Sequence, residues 1–230
     1  MERRFDILLF DLDGTLVDSG EGITNSVKFA LEHFGIHPSS REELYKFIGP
    51  PLVDSFMRFC GFSREQAGEA TEVYRRRYRV KGVYENRVYD GVPELLGALR
   101  RAGIECVLAT SKPEVFANIV LDDMGLREYV SFVAGAEIEG GEERERPLRT
   151  NKDEVIAYAL ESLGINDKTR VLMVGDRCHD IEGAKQNGIS SVGVLWGFGS
   201  REELEKAGAD LIAASPKEVL ALALGNNDGC

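Results

Sequence analysis

The stretch that most constrains this chain is Phe5 to Ser19, FDILLFDLDGTLVDS. An apolar run, Ile7-Leu8-Leu9-Phe10, stops at Asp11, and a second carboxylate, Asp13, follows two residues on. Four apolar residues bounded by charge suit a short strand buried on both faces, as in a parallel sheet. Gly14 permits a sharp turn there, and Thr15 can hydrogen-bond back into it. In open α/β sheets ligands bind beyond the carboxyl ends of strands, so Asp11 stands where chemistry is expected. Two carboxylates crowded at one strand end repel each other unless a cation or a proton intervenes. An isolated Asp-x-Asp would simply cap a turn; here matching pieces lie downstream.

Between that stretch and residue 87 the pattern is helical. Ile23, Val27, Ala30, Leu31 and Phe34 recur at helical spacing, ended by Gly35. A short helix is expected over 41–48, stopped by Gly49-Pro50-Pro51, and another over Val53 to Cys60. Ser63 with Gln66 makes a capping box for a helix carrying Ala67, Ala70, Val73 and Tyr74. No strand is expected from the early twenties to Gly82. A helical block after a single strand reads as a small bundle inserted at 16–87, entered through 14–20 and left through 82–91.

From Pro93 helix and strand alternate. Strands are expected at 104–109, 132–134, 171–174 and 191–195, and helices from Pro93 to before Gly103 and over 113–124, 151–163 and 180–187. Ser200 with Glu203, and Ser215 with Glu218, predict two more capping boxes. The polar segment 137–150 reads as an exposed loop and Gly225 to Cys230 as a frayed tail. Repeating βα units imply an α/β fold with a doubly wound parallel sheet, a Rossmann-like core made of 1–15 and 88–230.

The net charge of −11 argues against binding a nucleic-acid polymer. It also means that an anionic substrate would need local cations. Cys60, Cys106, Cys178 and Cys230 lack paired zinc spacing, and Cys106 reads as a buried free thiol, which suits a reducing cytoplasm. No apolar run approaches the roughly 20 residues of a membrane helix, and Asp6 and Asp11 break the apolar region a signal peptide would need. A monomer or a homodimer would fit.

Three later segments could meet Asp11. In VLATSKP a strand ends in Thr110 and Ser111 just before a helix; backbone N–H groups and the Thr110 hydroxyl there suit a phosphate, or Ser111 is an ordinary helix cap. Lys152 stands in the first turn of its helix, where the dipole disfavours a cation. It is either solvated or balances a phosphate beside carboxylates. In VLMVGDRCHDIEGA a strand ends in Asp176, and Asp180, which can also cap the next helix, follows four residues later. Hard oxygen ligands on neighbouring strand ends are what Mg²⁺ prefers. His179 between them reads as exposed and incidental.

Taken in order, D-x-D-G-T, a strand-end hydroxyl, a helix-start lysine and G-D-x-x-x-D resemble the haloacid dehalogenase (HAD) superfamily over essentially the whole chain. The inserted helices look like that superfamily's small α-helical cap on its Rossmannoid core. GDRCHDIEGA with SVGVLWGFGSREEL is similar to the phosphoglycolate phosphatase and 5′-nucleotidase-like branch. The resemblance implies a Mg²⁺-dependent phosphomonoester hydrolase with Asp11 as nucleophile, forming an aspartyl-phosphate, and Asp13 as acid and base. It implies that Thr110, the Ser111 amide and Lys152 hold the phosphoryl oxygens. Mg²⁺ would be held by Asp11, the Asp13 main-chain carbonyl and Asp176, with Asp180 beside it or bridged by water.

The substrate expected is a small phosphorylated metabolite, phosphoglycolate first and a nucleoside monophosphate as the alternative. Candidate contacts are Gly49-Pro50-Pro51 and Arg75-Arg76-Arg77, of which only one or two can face a pocket. A cap arginine would favour a second anionic group; stacking aromatics would favour a nucleotide. A sugar-phosphate mutase and a non-enzymatic phospho-acceptor module are the remaining readings. A dehalogenase would need neither Asp13 nor a Mg²⁺ site.

Overall fold

The computed structural model describes residues 3–138 and 148–225. The opening apolar run is strand β1 (Ile7–Phe10), followed by the turn at Gly14 and a two-residue strand β2 (Val17–Asp18). Helices α1 (Gly20–His33), α2 (Leu52–Cys60) and α3 (Arg64–Val80) come next, with a 3₁₀ turn at Glu42–Phe47 between the first two. After β3 (Arg87–Val88) come α4 (Val92–Arg101), β4 (Glu105–Pro113), α5 (Glu114–Asp123) and β5 (Phe132–Ala136). The chain continues through α6 (Lys152–Ser162), β6 (Val171–Gly175), α7 (Cys178–Asn187) and β7 (Ser190–Val194). It closes with α8 (Arg201–Ala207), β8 (Leu211–Ala213) and α9 (Pro216–Ala223).

Six parallel strands form one sheet in the order β5-β4-β1-β6-β7-β8. The chain leaves β1 toward β4 on one side and later returns to β6 on the other, so the crevice of a doubly wound sheet opens at the end of β1. Leu8 and Phe10 point into a core with Leu96, Phe116, Val120 and Val219 from α4, α5 and α9. Leu9 points the other way, packing with Val155, Ile156 and Ala159 of α6 and Ala184 of α7. Both faces of the sheet are covered, which is why β1 reads as an unbroken apolar run rather than an alternation.

The inserted helices pack on one another through Ala67, Ala70 and Val73 of α3 and Val27 and Ala30 of α1. Phe47 meets Phe56 and Phe59 at ring-centroid distances of 5.3 Å each. The Ser63–Gln66 capping box makes both of its bonds, 3.0 and 3.2 Å.

Several local expectations change. The segments leading into and out of the insertion are not plain linkers: β2 and β3 pair antiparallel, Val17 with Val88 and Asp18 with Arg87. Two residues per strand are too few to show a period. Strand β4 runs four residues past Ala109 to Pro113, with its register shifting after Thr110. Ser111 therefore lies within the strand's irregular end and caps no helix; Pro113 precedes α5. Strand β8 escapes a reading by pattern because it is three residues long.

The last two capping boxes are only half made. Ser200 accepts from Glu203 N–H, but the Glu203 carboxylate turns to Arg177 and Cys178. Ser215 accepts from Glu218 N–H, while the Glu218 carboxylate also takes the Ala214 N–H. Of the loop expected at 137–150, residues 139–147 lie outside the described residues, as does 226–230 of the tail. Arg149, expected on the surface, is buried: it donates to the Gly135 carbonyl at 2.8 Å and lies 3.8 Å from the centroid of the Tyr158 ring. Cys106 is buried as a free thiol, and burial pushes it up to about 12.

Candidate active site

The parallel register brings the ends of three strands level. Phe10 pairs with Leu108 of β4 and Val174 of β6, so Asp11 stands beside Ala109 and Gly175, and its N–H donates to the Val174 carbonyl at 2.9 Å. Asp176, one residue past β6, is fully buried. Gly14 turns the chain away with φ +89°, and a Cβ there would collide with the Asp176 carboxylate. The backbone must come this close for the first and fourth segments to share one site.

Lys152 is buried rather than solvated. Its Nζ lies 2.7 Å from Asp11 Oδ1 and 2.8 Å from Asp180 Oδ1, and donates to the Ala109 carbonyl at 2.9 Å. Burial pulls its pKa down, but Asp11 and Asp180 more than offset that, and it is held well above the usual lysine range. These partners outweigh the unfavourable helix dipole. Asp180 does not cap α7 as its first flanking residue; it stands in the first turn and accepts from the Arg177 N–H at 3.0 Å.

Asp11, Asp176 and Asp180 offer carboxylate oxygens all within 4.8 Å of one another. Burial, then the charges of Asp180 and Asp11, push Asp176 up to about 8, although the Phe198 N–H donates to it at 2.8 Å and the Thr15 hydroxyl at 3.2 Å. Burial also raises Asp180, against the pull of Lys152. The Asp13 carboxylate is not in this cluster. Lys112 Nζ holds it through both oxygens, at 2.8 and 2.7 Å. Four buried carboxylates thus face two buried ammoniums, Lys112 and Lys152. The remaining two negative charges call for protons or one divalent cation, and an all-oxygen set of this kind fits Mg²⁺.

Thr110 is buried, and its Oγ1 accepts the Lys112 N–H at 3.2 Å. With Ser111, Asp11 and Asp13 it lines a cleft of about 500 Å³ between the sheet and the inserted helices. Phe47, Gly49-Pro50-Pro51, Tyr74, Tyr78 and Arg75 face the same cleft. Of the three consecutive arginines only Arg75 lines it; Arg76 is exposed, and Arg77 forms a two-pronged pair with Glu85 at 2.9 and 2.8 Å. His179 is not among the clustered aspartates and lies 3.9 Å from Glu182.

Sequence reasoning missed Lys112, which sits next to the two residues it singled out. It used the 195–199 stretch only for the resemblance and gave it no place at the site: Trp196 Nε1 donates to the Thr15 carbonyl at 3.0 Å, and Gly197 and Gly199 lie so close to Asp176 that neither could carry a Cβ. The two glycines flanking Phe198 were the available signal.

A parallel sheet with clustered carboxylates at adjoining strand ends, under a helical insertion, suits an enzyme of the phosphoryl-transfer type. Residues 8–194 match the haloacid dehalogenase-like hydrolase family, and the chain belongs to that family. It is 46% identical over 201 residues to a 5′-nucleotidase of Pseudomonas aeruginosa, covering 87% of each chain. It is 36% identical to the tyrosine-protein kinase PtkA of Mycobacterium tuberculosis, over 95% of this chain and 72% of that one. A phosphoglycolate phosphatase of Chromobacterium violaceum is 28% identical over 96% of this chain and 97% of its own length. Among solved structures, a predicted phosphatase from Clostridium acetobutylicum superposes with TM-score 0.88 at 44% identity, covering 94% of this chain and 96% of that one. The chain is a phosphatase of this family. Among the described residues no helix is long and apolar enough to cross a membrane.

Proposed function

We propose that this phosphatase is Mg²⁺-dependent and hydrolyses nucleoside monophosphates through an aspartyl-phosphate on Asp11. The observation that carries the chemistry is the buried imbalance of charge around Asp11, on the floor of a cleft large enough for a nucleotide. Phosphoglycolate, the first expectation from sequence, gives way to the nucleotide for two reasons. The similarity to the 5′-nucleotidase is far higher than that to the phosphoglycolate phosphatase. Phosphoglycolate would also need a cation for its carboxylate; of the cations lining the cleft, Arg75 is paired with Glu72 at 2.5 Å, Lys112 is paired with Asp13, and Arg64 is exposed. Phe47, Tyr74 and Tyr78 instead offer apolar and aromatic surface to a base.

In this reading the Asp11 carboxylate, needing no deprotonation, attacks phosphorus as the bond to the ribose oxygen breaks. Asp13 protonates the departing alkoxide and then takes a proton from the water that hydrolyses the intermediate. Lys152, the Thr110 hydroxyl and the Ser111 amide hold the phosphoryl oxygens where charge builds. Asp11, Asp176 and the Asp13 carbonyl would hold Mg²⁺, with Asp180 beside them. When bound, the ion offsets the repulsion between carboxylate and phosphate. The inserted helices serve as a cap at 16–87, excluding water and supplying the substrate contacts. Free thiols at Cys60, Cys106 and Cys178 suit a cytoplasmic enzyme.

Phosphate release from nucleoside monophosphates, phosphoglycolate and sugar phosphates, each with Mg²⁺ or EDTA, tests this. Nucleotides should give the highest kcat/KM, EDTA should stop turnover, and Asp11→Asn should abolish it while Asp13→Asn reduces it strongly. Preference for phosphoglycolate would overturn the substrate, and full activity in EDTA the assignment of Asp176.

A further inference from the structure

Lys112 is the second buried cation of the site, and no role in the chemistry above has fallen to it. Its side chain, 4% exposed, extends from the irregular end of β4 toward the Asp13 carboxylate, 11% exposed. The ammonium bonds both oxygens of that carboxylate, at 2.8 and 2.7 Å, and lies 5.0 Å from the centroid of the Tyr78 ring on α3. Its main-chain N–H is tied to Thr110 Oγ1. Three elements therefore fix this one lysine. Lys112, Asp13, Thr110 and Tyr78 all line the same cleft.

A carboxylate on a turn between two short strands has few means of holding one orientation. Asp13 is joined to the neighbouring backbone by a single bridge to Val17, and its side chain has no other bond among the described residues than that to Lys112. Each carboxylate oxygen has two acceptor positions and Lys112 occupies one on each, so a position on each is left to take a proton from water. The surroundings give such a grip value: a desolvated ion pair in a closed site is oriented far more rigidly than one in water.

We infer that Lys112 is a positioning residue that aims the Asp13 carboxylate at the hydrolytic water in the second half of the reaction. In that step the water oxygen bonds to phosphorus and the phosphorus–oxygen bond to Asp11 breaks. The water proton passes to Asp13, Asp11 is released as a free carboxylate, and inorganic phosphate departs. Formation of the intermediate from an aryl phosphate needs no proton donor, because the phenolate leaves unaided. Losing Lys112 should therefore slow breakdown of the intermediate while sparing its formation. The inference rests on the roles proposed above for Asp11 and Asp13, but not on the identity of the natural substrate.

Rapid mixing of the full chain with Mg²⁺ and p-nitrophenyl phosphate separates the two halves. Lys112→Met should give a burst approaching one nitrophenolate per enzyme, then a steady state roughly ten- to a hundredfold below wild type. Lys112→Arg should recover part of the loss, since it restores a cation. Asp13→Asn should give the same burst, and adding Lys112→Met to it should slow the steady state no further. A merely structural loss would shrink burst and steady state together. The inference is overturned if Lys112→Met shows no burst where Asp13→Asn does, or if it costs the same factor in the Asp13→Asn background. A missing burst in Asp13→Asn itself overturns the role of Asp13, and the positioning role with it.

Discussion

Replacing Asp176 with Asn removes one carboxyl from a buried cluster in which four carboxyl groups face two ammoniums. Burial and the neighbouring Asp180 and Asp11 push the Asp176 carboxyl up from 3.8 to about 8. Near pH 7 the folded metal-free protein therefore keeps a proton that the unfolded chain gives up. About three pKa units at roughly 1.4 kcal/mol each make this a penalty on the order of 4 kcal/mol. Because the folded pKa is raised, the contribution is fully present below the unfolded pKa near 4 and is lost as pH rises through about 8. Asn carries no such penalty, and its amide can meet both neighbours, the oxygen facing the Phe198 N–H and the NH₂ the Thr15 hydroxyl.

In EDTA near neutral pH, Asp176→Asn should thus melt above wild type, by as much as about 10 °C for a chain of this size. Mg²⁺ should reverse the order, raising the wild-type Tm and leaving the variant nearly unmoved. The wild-type shift should grow from about pH 6 to about pH 8, since below 8 the ion must displace a proton. Differential scanning calorimetry with and without Mg²⁺ reads all three effects. A metal-free variant that melts below wild type, or one that Mg²⁺ stabilises as strongly, would refute the account of the carboxylate cluster.

Three further predictions rest on local contacts. Gly14→Ala combines a positive φ with a collision against the Asp176 carboxylate, so it should lower Tm by several degrees and weaken Mg²⁺ binding more than tenfold, measured by calorimetry. Arg75→Ala should raise KM for nucleotides several-fold with little change in Tm, because its carbon stem walls the cleft beside Tyr74 and Tyr78 even while its guanidinium pairs with Glu72; Arg77→Ala should instead lower stability by about 1–2 kcal/mol through its lost bonds to Glu85 and Ser26, with KM nearly unchanged. Steady-state kinetics and thermal melts on the two variants separate these outcomes.

The elements most legible in the sequence were those whose signal is local. The apolar run of β1 stops at Asp11 because a strand buried on both faces has no polar position until it leaves the sheet. The capping box of Ser63 and Gln66 closes within one helical turn. Short pairings were not legible. The ribbon of Val17–Asp18 with Arg87–Val88 joins residues about seventy positions apart, and neither partner is long enough to show alternation. Arg149 looked like part of a solvated charge run, yet its guanidinium finds the Gly135 carbonyl and the Tyr158 ring, partners that only the packing of α6 beside β5 provides.

The site divides along the same line. Residue order alone was enough to say which side chains gather at the strand ends: Asp11 and Asp13 just past β1, Thr110 and Ser111 in the irregular end of β4, and Asp176 and Asp180 past β6. A turn that must pass this close to Asp176 accepts only glycine: Gly14 and Gly197 lie against its carboxylate and Gly199 against its main-chain carbonyl. Which charge answers which was decided by the tertiary structure alone. Lys152 reaches Asp11 and Asp180, and Lys112 takes Asp13, because register and the irregular end of β4 set the distances on which an electrostatic pairing depends. Such an energy falls with separation and rises with burial, and neither quantity is written along the chain.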